Sequence, residues 1–175
     1  HNNVNELTVR GSTSLTYDAN GNLTDDGNQK YIWDELNRLI QVKDSGNNLI
    51  VDYYYNVDNL RVEKHHVGGA KEQFYYCDKF VVEDQDGSQS LTREYMQGGQ
   101  YIDEVIAVKT GGNYYYYMYD LWYNEYGFVD STGTVVERAR YDGYGKRTLL
   151  DASYATITTP AVDQYYSFTG QRLDS

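Results

Sequence analysis

Apolar and polar residues alternate along most of this chain with a period close to two, and clusters of Asn, Asp, Gly and Ser interrupt the alternation at short intervals. That is the signature of half-buried strands joined by tight turns. The pattern predicts strands at Tyr31–Trp33, Leu39–Lys43, Leu49–Tyr55, Val62–Val67, Gln73–Tyr76, Phe80–Glu83, Leu91–Met96, Tyr101–Val108, Tyr114–Tyr119 and Thr134–Arg140. Turns are expected at Ala19–Asn22, Ser45–Asn48, Gly68–Lys71, Asp84–Ser88, Gln97–Gly99, Thr110–Asn113 and Ser131–Gly133. Short strands with Gly-bearing connections read as successive antiparallel hairpins. Helical spacing is confined to one brief candidate near Asp120–Glu125. Residues 149–164 are rich in Ala, Thr and Ser, contain Pro160, and are expected to form a loop. No shift in composition divides the chain, so residues 1–175 read as one domain.

One motif recurs. An aromatic residue is followed by Asp or Asn, two variable residues, Gly or Asn, and soon an apolar residue. It appears at Tyr17-Asp18 with Gly21, at Trp33-Asp34 with Asn37 and Arg38, at Tyr55-Asn56 with Asn59, and at Tyr141-Asp142 with Gly145. The aromatic closes a strand, and the Asp or Asn oxygen accepts backbone N–H groups two residues on. Gly21, Asn37, Asn59 and Gly145 stand where a positive φ is expected. A single hairpin is marginal in water, so stability must come from many laid side by side.

Composition supports thin layers rather than a deep oily core. The 175 residues include 21 Tyr against 4 Phe, and mean hydropathy is −0.73. Tyr brings an apolar ring and a hydroxyl that tolerates water, which suits a sheet wetted on one side. A net charge of −11 repels phosphates and anionic headgroups, so neither nucleic acid nor membrane insertion is expected. Cys77 is the lone cysteine, so packing and hydrogen bonds must hold the chain without an intrachain disulfide. The chain starts at His1 rather than Met and is expected to begin inside a longer protein.

The motif resembles the Rhs/YD-repeat family, including the Rhs-associated core that follows its repeats. The resemblance is carried by Leu15–Val42, by Tyr119–Leu149, and by Phe168-Thr169-Gly170 with Asp174 and Ser175. It implies an all-β fold of tandem antiparallel hairpins forming a curved, spiralling sheet, here a partial shell. In long relatives such shells enclose a toxin or act at the cell surface. A secreted or surface location follows from the resemblance alone. Two departures stand out, because the family often has Gly where this chain has Asn59 and Tyr123. The segment carrying the family's self-cleavage motif would follow Ser175, so no such activity is carried over.

Other candidate chemistry is sparse. His65 and His66 are adjacent on a strand and face opposite ways, which suits no single metal site. Asp78 beside Cys77 disfavours a reactive thiolate. Asp18, Asn20, Asn22, Asp25 and Asp26 resemble a calcium loop, but Gly21 is misplaced and Gln29 stands where a bidentate Glu belongs. No catalytic residue, metal or cofactor is expected. The most suggestive surface is aromatic: Tyr115, Tyr117 and Tyr119 on one strand face, then Trp122 and Tyr123. Sheet packing, a protein interface and sugar stacking are the readings, in that order. The expected function is a non-catalytic scaffold module that joins the rest of its parent chain, or identical copies, through strand edges. A glycan-binding adhesion module and a toxin-enclosing shell fragment are the alternatives.

Overall fold

The computed structural model describes residues 1–100 and 104–173. The fold is all-β. Fourteen strands, β3 to β16, lie side by side in the order in which they occur in the chain, and the short pair β1–β2 stands apart. Two compact units make up the chain, residues 1–74 with 86–88, and residues 75–85 with 89–175.

The first unit contains β1 (Val9–Arg10), β2 (Thr13–Ser14), β3 (Thr16–Tyr17), β4 (Leu23–Asp25), β5 (Gln29–Trp33), β6 (Leu39–Asp44), β7 (Leu49–Tyr55) and β8 (Arg61–His66). β9 (Lys71–Cys77) begins in it. From β3 on, each neighbouring pair is antiparallel, with Tyr31 opposite Val42, Val42 opposite Val51, and Tyr53 opposite Lys64. Alternation puts Val42, Val51 and Tyr53 on one buried face, where Tyr31, Leu39, Ile50 and Tyr55 pack against them.

The second unit contains β10 (Phe80–Asp86), β11 (Leu91–Gln97), β12 (Val105–Thr110), β13 (Asn113–Tyr119), β14 (Glu125–Asp130), β15 (Val135–Tyr141) and β16 (Arg147–Leu150). The expected strand Tyr101–Val108 is observed from Val105, and residues 101–103 lie outside the described residues. Its buried apolar residues include Val105, Ala107, Val108, Phe128 and Ala139. After β16 the chain leaves the regular ladder. Leu150 and Thr156 form an isolated bridge, Phe168–Gly170 form a 3-10 turn, and Val162 and Ser167 are almost wholly buried.

The helix expected near Asp120–Glu125 is a reverse turn followed by the start of β14. Tyr123 there has φ +59°, which ends any right-handed helical path. The turn expected at Asp84–Ser88 also begins later, because β10 continues to Asp86.

Candidate functional site

The repeated turn is one hydrogen-bonded device used many times. At Asp18 the backbone N–H donates to Asn22 O, Gly21 N–H donates back to Asp18 O, and the carboxylate accepts from Asn20 N and Asn22 N at 2.9 Å each. The residue three beyond Asp18 is Gly21, at φ +85°. The same side-chain bonds form at Asp34 with Leu36 and Arg38, at Asn56 with Asp58 and Leu60, and at Asp142 with Tyr144 and Lys146. Asn37, Asn59 and Gly145 hold the positive φ. Turns at Asp120, Asp130 and Asp151 follow the same plan, with Tyr123, Gly133 and Tyr154 in the left-handed position. The Asp130 turn, and a similar one at Asp44 that places Asn47 at φ +71°, fall on the turns expected at Ser131–Gly133 and Ser45–Asn48, whereas the Asp120 turn replaces the expected helix and the Asp151 turn lies in the expected loop.

Asn in the left-handed position does more than tolerate its φ. Asn37 Oδ1 accepts from Asn20 Nδ2 at 3.0 Å and Asn22 Nδ2 at 2.8 Å, and Asn59 Oδ1 accepts from Arg38 Nη1 at 3.0 Å. Each turn is thereby tied to the next one along the same side of the first unit.

The aromatic position has an equally specific task. Trp33 Nε1 donates to Leu23 O at 2.8 Å, and Tyr55 OH donates to Leu39 O at 2.8 Å. Tyr119 OH donates to Val105 O at 2.9 Å, and Gln97 Nε2 donates to Val81 O at 2.8 Å. In each case the acceptor is the first or second residue of the return strand of the preceding hairpin. Tyr17 makes the corresponding bond to Leu7 O at 3.0 Å. The side chain therefore needs a polar tip on a flat body, and Gln97 supplies only the tip.

The last aromatic, Tyr141, shares a 2.8 Å hydrogen bond with Ser167 Oγ and lies 3.4 Å from Glu125 Oε2. It leads to a polar cluster under residues 159–173, a chain segment packed across the second unit's sheet. Asp84 is fully buried, with Arg172 Nη2 at 2.8 Å, Arg93 Nη1 at 3.5 Å and Tyr95 OH at 2.9 Å from its Oδ2. Arg93 also holds Asp163 and stacks 4.2 Å above the Tyr165 ring. Beside this lie Glu125 and Glu137, both with no exposed surface. Glu137 Oε2 accepts from Ala161 N at 2.5 Å and Val162 N at 3.3 Å. Arg147 Nη1 stands 3.6 Å from Glu125 Oε2. Burial, with the charge of Glu137 adding and Arg147 opposing, pushes Glu125 up to about 8. Burial raises Glu137 as well, restrained by the Ala161 and Val162 amides.

The aromatic candidates separate. Tyr117 lies beneath residues 159–173, its hydroxyl donating to Gln164 Oε1 at 3.1 Å, edge-on to Phe128 and stacked on Tyr119. Burial lifts the Tyr117 phenol well above its ordinary value. Tyr115 and Tyr123 are half-buried, and Trp122 is 73% exposed at a turn tip. Trp122 and Tyr126 line an open groove of about 660 Å³ with Arg140, Asp142 and Phe168. Cys77 is exposed, and His65 pairs with Glu63 at 2.6 Å. Among the described residues no group of three or more His, Cys, Asp or Glu is arranged to hold a metal. Among the same residues no helix is long and apolar enough to cross a membrane.

The structure is similar to that of the Photorhabdus luminescens Tc holotoxin pore, with a TM-score of 0.65 and 17% identity over 91% of this chain and 8% of that one. That likeness fixes the fold. The TcdB2–TccC3–Cdc42 structure gives a TM-score of 0.57 over 93% of this chain and 10% of the other. In sequence the chain is 30% identical to the tRNA nuclease WapA of Bacillus subtilis and 28% identical to the tRNA3(Ser)-specific nuclease WapA of Bacillus spizizenii. Each match takes in 99% of this chain but only 7% of the relative's length. No family model matches. These neighbours are consistent with the Rhs/YD-repeat resemblance. The residues Asp174 and Ser175 that complete its final motif lie outside the described residues.

Proposed function

We propose that this chain is a non-catalytic wall module of a larger, secreted or surface-exposed toxin-type protein, and that it works by shape. The observation that carries the reading is the hairpin-to-hairpin bonding of Trp33, Tyr55, Gln97 and Tyr119, by which one hairpin supports the next at two places in each unit. Similarity to the Tc toxin fold supports it. The buried acidic and basic side chains of the second unit are spent on holding residues 159–173, and the two raised carboxylates have no exposed surface on which to meet a substrate. We assign the tRNA chemistry named for the WapA relatives to parts of those proteins beyond this segment, in keeping with a net charge of −11 here.

Partners in this reading are the remainder of the parent chain or identical copies, joined at the terminal strand β3 and at the part of β16 that residues 156 and 157 do not already bridge. Light scattering over a dilution series tests this. Mass that rises with concentration is expected, and a strict monomer at every concentration would overturn edge pairing.

A second reading, glycan binding, is favoured by the groove at Trp122, where an exposed indole and the Tyr126 ring stand beside Arg140 and Asp142. A glycan array separates the two. The wall reading expects no saturable signal, whereas adhesion expects one that Trp122→Ala abolishes.

A further inference from the structure

We propose that Glu125 and Glu137 form a proton-dependent latch: residues 159–173 dock on the sheet only while one of the two carboxylates is protonated, and ionisation of both releases that segment. Both side chains are wholly buried, and in each Oε1 has no hydrogen-bond partner. The cation facing Glu125 is Arg147, at 3.6 Å, and its charge is also felt by Glu137. Two carboxylates against one guanidinium leave a buried net negative charge, and an unbalanced buried charge is strongly unfavourable. One proton balances the cluster.

Among the described residues, the other groups facing the pair supply no second positive charge. Tyr141 on β15 brings a hydroxyl to Glu125 Oε2. From β13, Tyr117 and Tyr119 feel the charge of Glu125 as buried neutral phenols. The docked segment itself offers only the Ala161 and Val162 amides to Glu137, and Ser167 O to the Glu125 N–H. Asp84 stands differently, with Arg93 and Arg172 both upon it. So one anchor of the segment is charge-balanced at any neutral pH, and the other requires a proton.

The direction of the pH effect follows from linkage. Docked, Glu125 titrates at about 8. Released into water, it returns to an ordinary glutamate value of about 4.3. Between those values the docked state holds the extra proton. Docking is therefore strongest below the lower value and weakens as pH rises, by about tenfold per pH unit for one proton, until it levels off near 8.

Amide hydrogen exchange at Ala161 and Val162, corrected for the intrinsic rate at each pH, reads the docking equilibrium directly. In the unmodified chain protection should fall by about tenfold per unit from pH 5 to pH 8. Glu125→Gln, which mimics the protonated form, should flatten that slope and keep the segment protected at pH 8. Arg147→Met should lower protection at pH 8 further. Protection that is level from pH 5 to 8, or a slope unchanged by Glu125→Gln, overturns the latch. Should that variant fail to fold, carbon-13 titration of the unmodified chain decides: a glutamate carboxyl with its midpoint above pH 7 supports the latch, and none above 5.5 refutes it.

Discussion

Arg93 on β11 reaches seventy residues along the chain to Asp163, its Nη2 lying 2.6 and 2.7 Å from the two carboxylate oxygens. This contact and the Arg172–Asp84 pair fasten residues 159–173 to the sheet of the second unit. Arg172→Met leaves fully buried Asp84 with only the longer Arg93 contact and the Tyr95 hydroxyl, so it should cost about 3 kcal/mol. Replacing Asp84 by Leu in the same molecule should recover much of that loss. Denaturant unfolding of the two single variants and the double variant tests this, and a double variant no more stable than Arg172→Met would contradict it.

Two glycines separate backbone strain from crowding. Gly133 and Gly145 sit at φ +83° and +84°. A methyl group at Gly133 meets open space, whereas one at Gly145 would lie 2.9 Å from the Phe168 ring. Gly133→Ala should cost the left-handed penalty of about 1–2 kcal/mol. Gly145→Ala should cost more, and should also loosen the Phe168 segment. Thermal unfolding with exchange at Gly170 distinguishes the two, and equal effects would show that Phe168 is not pressed against the turn.

Acid should weaken the turns. Asp18 is held below its ordinary value by the Asn22 side chain and amide, Asp34 by the Arg38 amide, and Asp142 by the Lys146 amide. A depressed carboxylate stabilises the fold above its unfolded value of about 3.8, and that stability is lost as pH falls through the folded value. Asn56 performs the same task without a charge. Asp142→Asn should therefore keep the turn and reduce acid sensitivity, whereas Asp142→Ala should lose the turn at every pH. Circular dichroism from pH 5 to pH 2 measures both, and identical acid midpoints for Asp142→Asn and the parent would count against it.

The aromatic tips should prove to be connectors as well as packing. Tyr55→Phe keeps the ring but leaves Leu39 O without its 2.8 Å donor, for a loss of about 1 kcal/mol. Faster exchange of the amides around β6 should accompany it, and unchanged stability would show that the ring alone matters.

Period-two alternation and the Asp/Asn-Gly clusters made the strands and most turns legible, because both are local physics. Gln97 was hidden for the opposite reason. It keeps the aromatic's hydrogen bond without its ring, and no residue-type pattern marks that substitution. The buried cluster was hidden too, since Asp163, Arg172 and Asp84 are distant in sequence and carboxylates are plentiful. One signal was available. Glu137 falls on the same strand face as Val135 and Ala139, an acidic side chain on an apolar stripe, and such a residue is expected to have a buried partner. The Tyr114–Tyr119 run reads as one patch in sequence, yet the strand sends Tyr117 under residues 159–173 and leaves Tyr116 exposed.

The central claim is that, within each unit, hairpins rest on the one before them in chain order through the polar tip of the residue that closes the strand, at Trp33, Tyr55, Gln97 and Tyr119. Nuclear Overhauser spectroscopy of the intact chain tests it most directly. Cross-strand contacts should join Tyr31 to Val42, Ala107 to Tyr116 and Arg140 to Thr148, with the Trp33 indole proton close to Leu23 and the Tyr55 ring close to Leu39. A spectrum in which those strands pair out of chain order, or in which Trp33 and Tyr55 turn freely in solvent, would contradict the account.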